Sequence, residues 1–460
     1  MAYPAKLDSA LKAAVGPDAV LTDPADCFAY GYDNSRKHHL PDAVVWARTE
    51  DEIQAIVVAC RRHKTPLVVR GRGTGTAGGS VPLRGGVVLS LERMNRILEV
   101  DAANRLMRVE PGATNQAVQK AAAAHGFFWA PDPTSAAYCS VGGNIAVNSA
   151  GPRAVKYGSA RENTLGLRAI TGAGDLIIVG VNTSKGAVGY DLTRLLIGSE
   201  GTLAIITQAT LKLTPLPVAK RTLRAIYQNM HAAADAVARI MAQAITPCAL
   251  EFLDGAAIRM LEAHDAALFA DAGAVLLIEV DGPEAAMEES VMALTRAATG
   301  AGLKELTTAQ TQEETLALWA VRKALSPRLR TLAPNKLNED VVVPVSRIPE
   351  LIAGLDELSL RFSIPIVNFG HAGNGNIHVN LLYDSQNPEQ EAHARPCLSE
   401  VFDLVLALGG TLSGEHGIGM EKRDYIARAI DPHSLRLMRA IKAQFDPDHI
   451  LNPDKLFPLT

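Results

Sequence analysis

Four titratable side chains near the C-terminal end have the types and spacing for metal-assisted proton chemistry. His371 and His378 lie in NFGHAGNGNIHVN (368–380), and Glu415 and His416 lie in LSGEHGIGMEK (412–422). Two imidazoles and a carboxylate suit a divalent metal with an open position, zinc first and manganese or iron next. A fourth titratable group beside such a metal can move a proton. The glycines around all four let a backbone approach a small ligand closely. Either segment alone is a weak signal, because a histidine among glycines can simply satisfy local hydrogen bonds. Four such residues in two segments argue against that bland reading for the set.

Spacing constrains how these side chains meet. His378 and Asn380 are two apart in an alternating run with Ile377, Val379 and Leu381, so a strand points both to one face. His371 lies seven positions before His378, and on one straight strand it would face the other way. Gly373, Asn374, Gly375 and Asn376 are turn formers, and a tight loop there returns His371 to the side of His378. Glu415 and His416 are adjacent, so in extended chain they diverge: Glu415 toward a metal, His416 toward another task. The His-Glu-x-x-His helix of zinc proteases is absent, which makes a metallohydrolase a poor reading.

The elements that must carry these residues follow from periodicity. Thr49 with Glu52 forms a capping box, and Ile53, Ile56, Val57 and Cys60 recur at helical spacing to about His63. A buried strand, LVVR (67–70), enters the loop GRGTGTAGGSVP (71–82). Strands follow at 87–91, 97–101 and 106–110, the last two joined as a hairpin through Ala102, Ala103 and Asn104. Thr114 caps a helix that Gly126 stops, and residues 131–158 read as a second loop region rich in glycine and small residues. Pro215 and Pro217 close this half. Beyond them strands and helices alternate, and the last fifty residues read as mostly helical. The expected organisation is residues 1–217 (core from about 42), 218–410 and 411–460.

Composition narrows the class. The chain has 460 residues, 48% hydrophobic and 20% charged, an ordinary globular balance. A net charge of −4 gives no basic footprint for nucleic acid. No signal-peptide layout opens the chain, and no apolar run approaches the ~20 residues of a membrane span. Five scattered cysteines fit a reduced, cytoplasmic protein and include neither a metal motif nor an iron–sulfur run.

Gly73, Gly75 and Gly78 match the Gly-x-Gly-x-x-Gly spacing of a dinucleotide-binding turn. That motif requires a helix opening within the loop. Here Gly79, Pro82, Gly85 and Gly86 fill that space before a strand near Val87, so a Rossmann NAD site is a poor fit. Consecutive small residues still expose backbone N–H groups as a nest for a diphosphate, and Arg70 and Arg72 add positive charge beside it.

RGRGTGTAGGSVP, PDPTS…SVGGNIAVNSAG and LIGSEGTLAIIT resemble the FAD-binding domain of vanillyl-alcohol-oxidase-type flavoproteins. GHAGNGNIH, SGEHGIG and FDPDHILNP resemble the FAD-linked oxidase C-terminal domain. Together they are similar to the group of D-lactate dehydrogenase, glycolate oxidase catalytic subunit and D-2-hydroxyglutarate dehydrogenase, from about Asp42 to Phe457. The resemblance implies an α+β fold: a two-subdomain FAD-binding domain, an antiparallel-sheet substrate (cap) domain, and a helical C-terminal segment returning to the flavin. It implies that Gly71, Arg72, Gly73, Thr74, Gly75, Gly78 and Gly79 hold the FAD diphosphate. Thr134, Ser140, Gly142, Gly143, Asn144 and Asn148 would line the cofactor further along, with Glu200, Gly201 and Ile205 beyond and Asn452 near the isoalloxazine. His371, His378 and Glu415 match the family's metal ligands and His416 its proton acceptor. Arg322 matches the arginine that grips the substrate carboxylate, Asn380 a polar neighbour of the substrate, and Lys336 a weaker substrate contact.

Two departures stand out. Asn374 replaces the aspartate of a usual Gly-Asp-Gly-Asn, which removes a negative charge expected near the metal. Thr74 stands where members with covalent flavin carry histidine, so FAD is expected to be non-covalent. The implied reaction is oxidation of a D-2-hydroxy acid, D-lactate first, then glycolate or D-2-hydroxyglutarate. Electrons would leave to an external acceptor: a quinone, a cytochrome, an electron-transfer flavoprotein or an iron–sulfur subunit. Any membrane association would be peripheral, through that partner, and a homodimer is compatible with the sequence. The rivals are an oxygen-using flavin oxidase, an ether-lipid synthase, which would not need the His371/His378/Glu415 set, and a flavoprotein electron-transfer subunit of a larger complex, whose C-terminal motifs would be lost if it were non-catalytic.

Overall fold

The structure is a computed structural model that describes residues 3–259, 269 and 271–459. The chain divides into two compact units. One comprises Met1–Ala150, Gly158–Leu216 and Glu415–Thr460; the other comprises Gly151–Tyr157 and Pro217–Gly414.

The first unit contains two principal sheets. Strands Ala43–Trp46, Val87–Ser90 and Leu67–Arg70 run parallel, with the short Val20–Leu21 antiparallel at one edge. Their near-continuous Val and Leu content suits strands covered on both faces. The helix Glu50–Arg62 packs there through Ile53, Ile56, Val57 and Cys60, the apolar stripe its spacing predicts. Thr49 Oγ1 accepts the Glu52 N–H, and Glu52 Oε2 accepts the N–H of Arg48, the residue before the cap. The second sheet is antiparallel, in the order Ile97–Asp101, Leu106–Val109, Ala204–Lys212, Thr164–Thr171, Leu176–Gly180. Residues 71–86, between Leu67–Arg70 and Val87–Ser90, contain no helix.

The 131–158 region departs from the loop reading. It contains a helix, Val141–Val147, with Ser140 as its N-cap accepting the Gly143 N–H, and a short helix Ala154–Tyr157. Gly142 is small because Pro111 packs against it, so this glycine serves close packing. The C-terminal stretch centres on the helix Pro432–Phe445.

The second unit is built on a seven-stranded, wholly antiparallel sheet. Its order is Leu303–Thr308, Ala219–Tyr227, Ala274–Gly282, Ala249–Asp254, Ile366–His371, Asn376–Tyr383, Asn335–Val342. One face packs the helix Gln312–Arg328, whose Leu318, Val321 and Leu325 join Leu253, Leu277 and Phe369 in a core. Arg322 shares that sheet-facing stripe, one position after Val321 and three before Leu325. No helix among the described residues is long and apolar enough to cross a membrane.

Candidate functional site

The hairpin of Ile366–His371 and Asn376–Tyr383 brings the two motif histidines together. A 3₁₀ turn, Ala372–Asn374, and Gly375 at φ +72° reverse the chain; a side chain at Gly375 would collide with the Val343 carbonyl. His371 then pairs with Asn376, and Phe369 with His378. His378 is thus the diagonal neighbour of His371 on the same face. Their rings lie 5.2 Å apart at 82°, and both are buried.

The neighbouring strands complete the array. Asp340 registers against His378, and Asn338 against Asn380. Lys336 lies two positions before Asn338 and so on the same face; its Nζ is 3.4 Å from Ser326 Oγ. Asn380 is fully buried and donates through Nδ2 to the carbonyls of Val367 and His378, while its Oδ1 has no hydrogen-bond partner. Asp340 accepts from Ser413 Oγ and from the Gly414 N–H at 2.9 Å. Glu415 is the next residue, so that anchor fixes where it starts. His371 and His378 thus offer two imidazoles on one buried face of this unit, donors that suit a divalent cation.

Glu251 and Asp340 carried no motif and were missed in the sequence. Glu251 is fully buried and registers against His371. Its Oε1 lies 2.6 Å from His371 Nδ1, and its Oε2 accepts from Arg322 Nε at 2.6 Å. Burial opposes ionisation of Glu251, but His371 and Arg322 outweigh it and hold the carboxyl below the usual range. The available signal was an acid between Leu250 and Phe252 in a wholly buried strand, which must find hydrogen-bonding or charged partners. Asn374 is exposed at the turn tip while both histidines are buried. Water screens that position, so the missing aspartate removes less charge from the metal set than the sequence suggests.

In the first unit, residues from three distant segments meet at Asn452. Its Nδ2 donates to the carbonyls of Gly79 (2.9 Å) and Glu200 (2.7 Å), its backbone sits at φ +41°, and its buried Oδ1 has no partner. Glu200, at φ +53°, accepts the N–H groups of Ile418 and Gly419, both at 2.7 Å, through its carboxylate. Burial raises its pKa, against the pull of those two N–H groups and of Lys422 and Lys455. Two non-glycine residues at positive φ in one cluster mark stored strain, as functional sites often do. Asn148 also has positive φ, and its Oδ1 accepts from Ser159 Oγ and the Arg161 N–H.

The remaining expected cofactor residues divide into three kinds. Gly71, Gly73 and Gly78 are glycine because a side chain would strike Ser140, Arg70 or Met420. Gly75 and Gly79 are different: neither has positive φ, and a Cβ would meet nothing closer than Asp33 Oδ2 at 3.9 Å and Glu200 Oε2 at 3.8 Å. The protein itself leaves room there for a ligand to approach the backbone. With the orphaned Asn452 oxygen, this cradle fits FAD. The Arg70 guanidinium faces the Tyr32 and Ala29 carbonyls and Ser80 Oγ, holding the loop together. Arg72 is exposed, 3.8 Å from Glu92. Asn144 bonds Asn115 and Ser149, Ile205 lies in the core, and Thr134 is exposed. Gly143 lies in the helix Ser140 caps, Gly201 has φ +70°, and Thr74 and His416 are half-buried.

Comparison with known proteins shows the family and the fold. Residues 216–456 match the family described as FAD linked oxidases, C-terminal domain, and residues 41–180 match the FAD binding domain. The glycolate oxidase subunit GlcD of Bacillus subtilis is 39% identical over 96% of this chain and 94% of its own length. A D-lactate dehydrogenase of Anaerostipes hadrus is 34% identical over 90% and 89%. A D-2-hydroxyglutarate dehydrogenase of Stutzerimonas stutzeri is 32% identical over 99% and 100%. Among solved structures, p-cresol methylhydroxylase superposes with a TM-score of 0.80 at 19% identity, covering 98% of this chain and 96% of that one. That likeness shows the fold, which is of the vanillyl-alcohol-oxidase type.

Proposed function

The chain belongs to the FAD-linked oxidases, as an FAD-dependent oxidoreductase of the glycolate oxidase, D-lactate dehydrogenase and D-2-hydroxyglutarate dehydrogenase group, and we propose that it oxidises a D-2-hydroxy acid to the 2-oxo acid. D-lactate is the first choice, then glycolate or D-2-hydroxyglutarate. One observation carries this reading: Arg322, from the helix Gln312–Arg328, meets the buried sheet face of His371 and His378, with Glu251 holding Arg322 and His371. That combination of fork and imidazole pair suits a carboxylate with a hydroxyl on the next carbon.

Arg322 uses Nε for Glu251 and presents its two terminal nitrogens as a fork for the substrate carboxylate. Asn380, with its buried Oδ1 lacking a hydrogen-bond partner, is a polar neighbour of the substrate. Lys336 extends the cationic character of the same face. His371, His378 and Glu415 would hold a divalent ion, zinc ahead of manganese or iron, which would supply Lewis-acid polarisation of the hydroxyl. His416 takes the hydroxyl proton on an imidazole nitrogen. Bound FAD would supply the acceptor for the hydride from C2. The backbone of 71–79 would hold its diphosphate, with Thr134, Ser140, Gly142, Gly143, Asn144 and Asn148, then Glu200, Gly201 and Ile205, holding the remainder and Asn452 toward the ring. Thr74 offers no ring nitrogen for a covalent link. Electrons then pass to an external acceptor protein or quinone; the name of the Bacillus relative, a subunit, supports a partner chain.

The test is anaerobic mixing of the purified yellow protein with D-lactate, glycolate and D-2-hydroxyglutarate in turn. One of them should bleach the flavin on the timescale of a stopped-flow experiment, and acid should release the FAD. Flavin that none of the three reduces overturns the substrate class.

A further inference from the structure

We propose that Glu251 is a positioning residue that sets both the tautomer of His371 and the aim of Arg322. The inference rests on the metal and substrate reading above and deepens it. Glu251 stands mid-strand in Ala249–Asp254, fully buried, opposite His371 on one side and Leu277 on the other. Leu277 has no side-chain acceptor, so the carboxylate that meets both Arg322 and the His371 ring comes from Glu251.

Its two oxygens are divided between two donors. Oε1 is 2.6 Å from His371 Nδ1, and Oε2 is 2.6 Å from Arg322 Nε. An ionised carboxylate only accepts hydrogen bonds, so both neighbours must donate. The His371 proton therefore sits on Nδ1 and the ring's lone pair on Nε2, the nitrogen a metal would take. Carboxylate partners of this kind fix the ring orientation of ligating histidines and raise their basicity. Arg322 is held by the same group, its guanidinium 5.0 Å over the Phe369 ring, so its terminal fork has one direction. One carboxylate thus aligns the metal ligand with the substrate clamp.

A glutamine at 251 would keep the volume and lose the function. Its oxygen can accept from one neighbour, but its amide nitrogen then confronts the other donor, so one of the two bonds must break. The experiment uses the FAD-loaded full chain, stripped of metal and titrated with Zn²⁺ alone by equilibrium dialysis. Wild type, Glu251→Gln, Arg322→Gln and the double variant are compared, with FAD content measured in each. Glu251→Gln and the double variant should bind Zn²⁺ about 10–100-fold more weakly than wild type. Arg322→Gln keeps the Glu251–His371 bond and should bind Zn²⁺ as tightly as wild type, with FAD content equal throughout.

Wild-type zinc affinity in both Glu251 variants overturns the proposal. An equal loss in Arg322→Gln also overturns it, because the defect would then come from the packing of the face as a whole. If Glu251→Gln alone fails to fold around an unmatched buried guanidinium, the double variant contains no such charge and answers the same question. Wild type that binds no Zn²⁺ overturns the metal reading itself, a result distinct from the other two.

Discussion

His416 and Glu415 are neighbours with different work, and their substitutions should separate. His416→Ala should retain FAD and metal, because neither depends on its ring in this scheme. Its flavin reduction should slow by roughly 10²–10⁴, the usual contribution of a positioned acid–base group. Near-normal anaerobic reduction in His416→Ala would remove it as the base. The two motifs identified both residues by type and spacing. Glu251 and Asp340 escaped because their strands, ALEFLD and NKLNEDVV, show no pattern beyond burial. Their partners Arg322, His371, Ser413 and Gly414 lie 71 to 120 positions away along the chain. No local rule connects such pairs; the register of the sheet does.

Among the elements, the glycine loop at 71–80 permits the cleanest test. Gly79→Ala places a methyl group where the protein has space, with ordinary backbone φ. Stability of the flavin-free protein should change by less than about 1 kcal/mol, as for other compatible Gly→Ala changes. FAD affinity should fall about tenfold or more, equivalent to about 1.4 kcal/mol, since the methyl occupies the cofactor's approach. Unchanged FAD affinity in a folded Gly79→Ala protein would leave that glycine unexplained. Gly142→Ala is the contrast: its methyl would press on Pro111, so it should lower stability with or without FAD. The sequence does not distinguish these two glycines. Both sit in small-residue runs, and only the neighbours brought in by folding show which one faces protein and which faces open space.

For the whole molecule, the expected metal ligands His371 and His378 belong to the sheet unit and the expected FAD loop to the other unit. Chelation should therefore abolish turnover while the protein stays yellow. One divalent ion per chain should restore activity, and His378→Ala should prevent that rescue. Full turnover in metal-free protein would return the histidines to a structural role.

The sequence by itself determined the helix caps at Thr49 and Thr114, the strands at 67–70 and 97–110, the rejection of a Rossmann turn at 71–86, and the family. Each rests on contacts within a few residues or on motifs with fixed internal spacing. Tertiary structure decided that residues 141–147 are helical, that Arg70 holds its own loop, and that Asn374 faces water. It also decided that one buried carboxylate joins Arg322 to His371. Those outcomes depend on which distant backbone packs against a side chain, and burial sets their energies; neither is written in local periodicity.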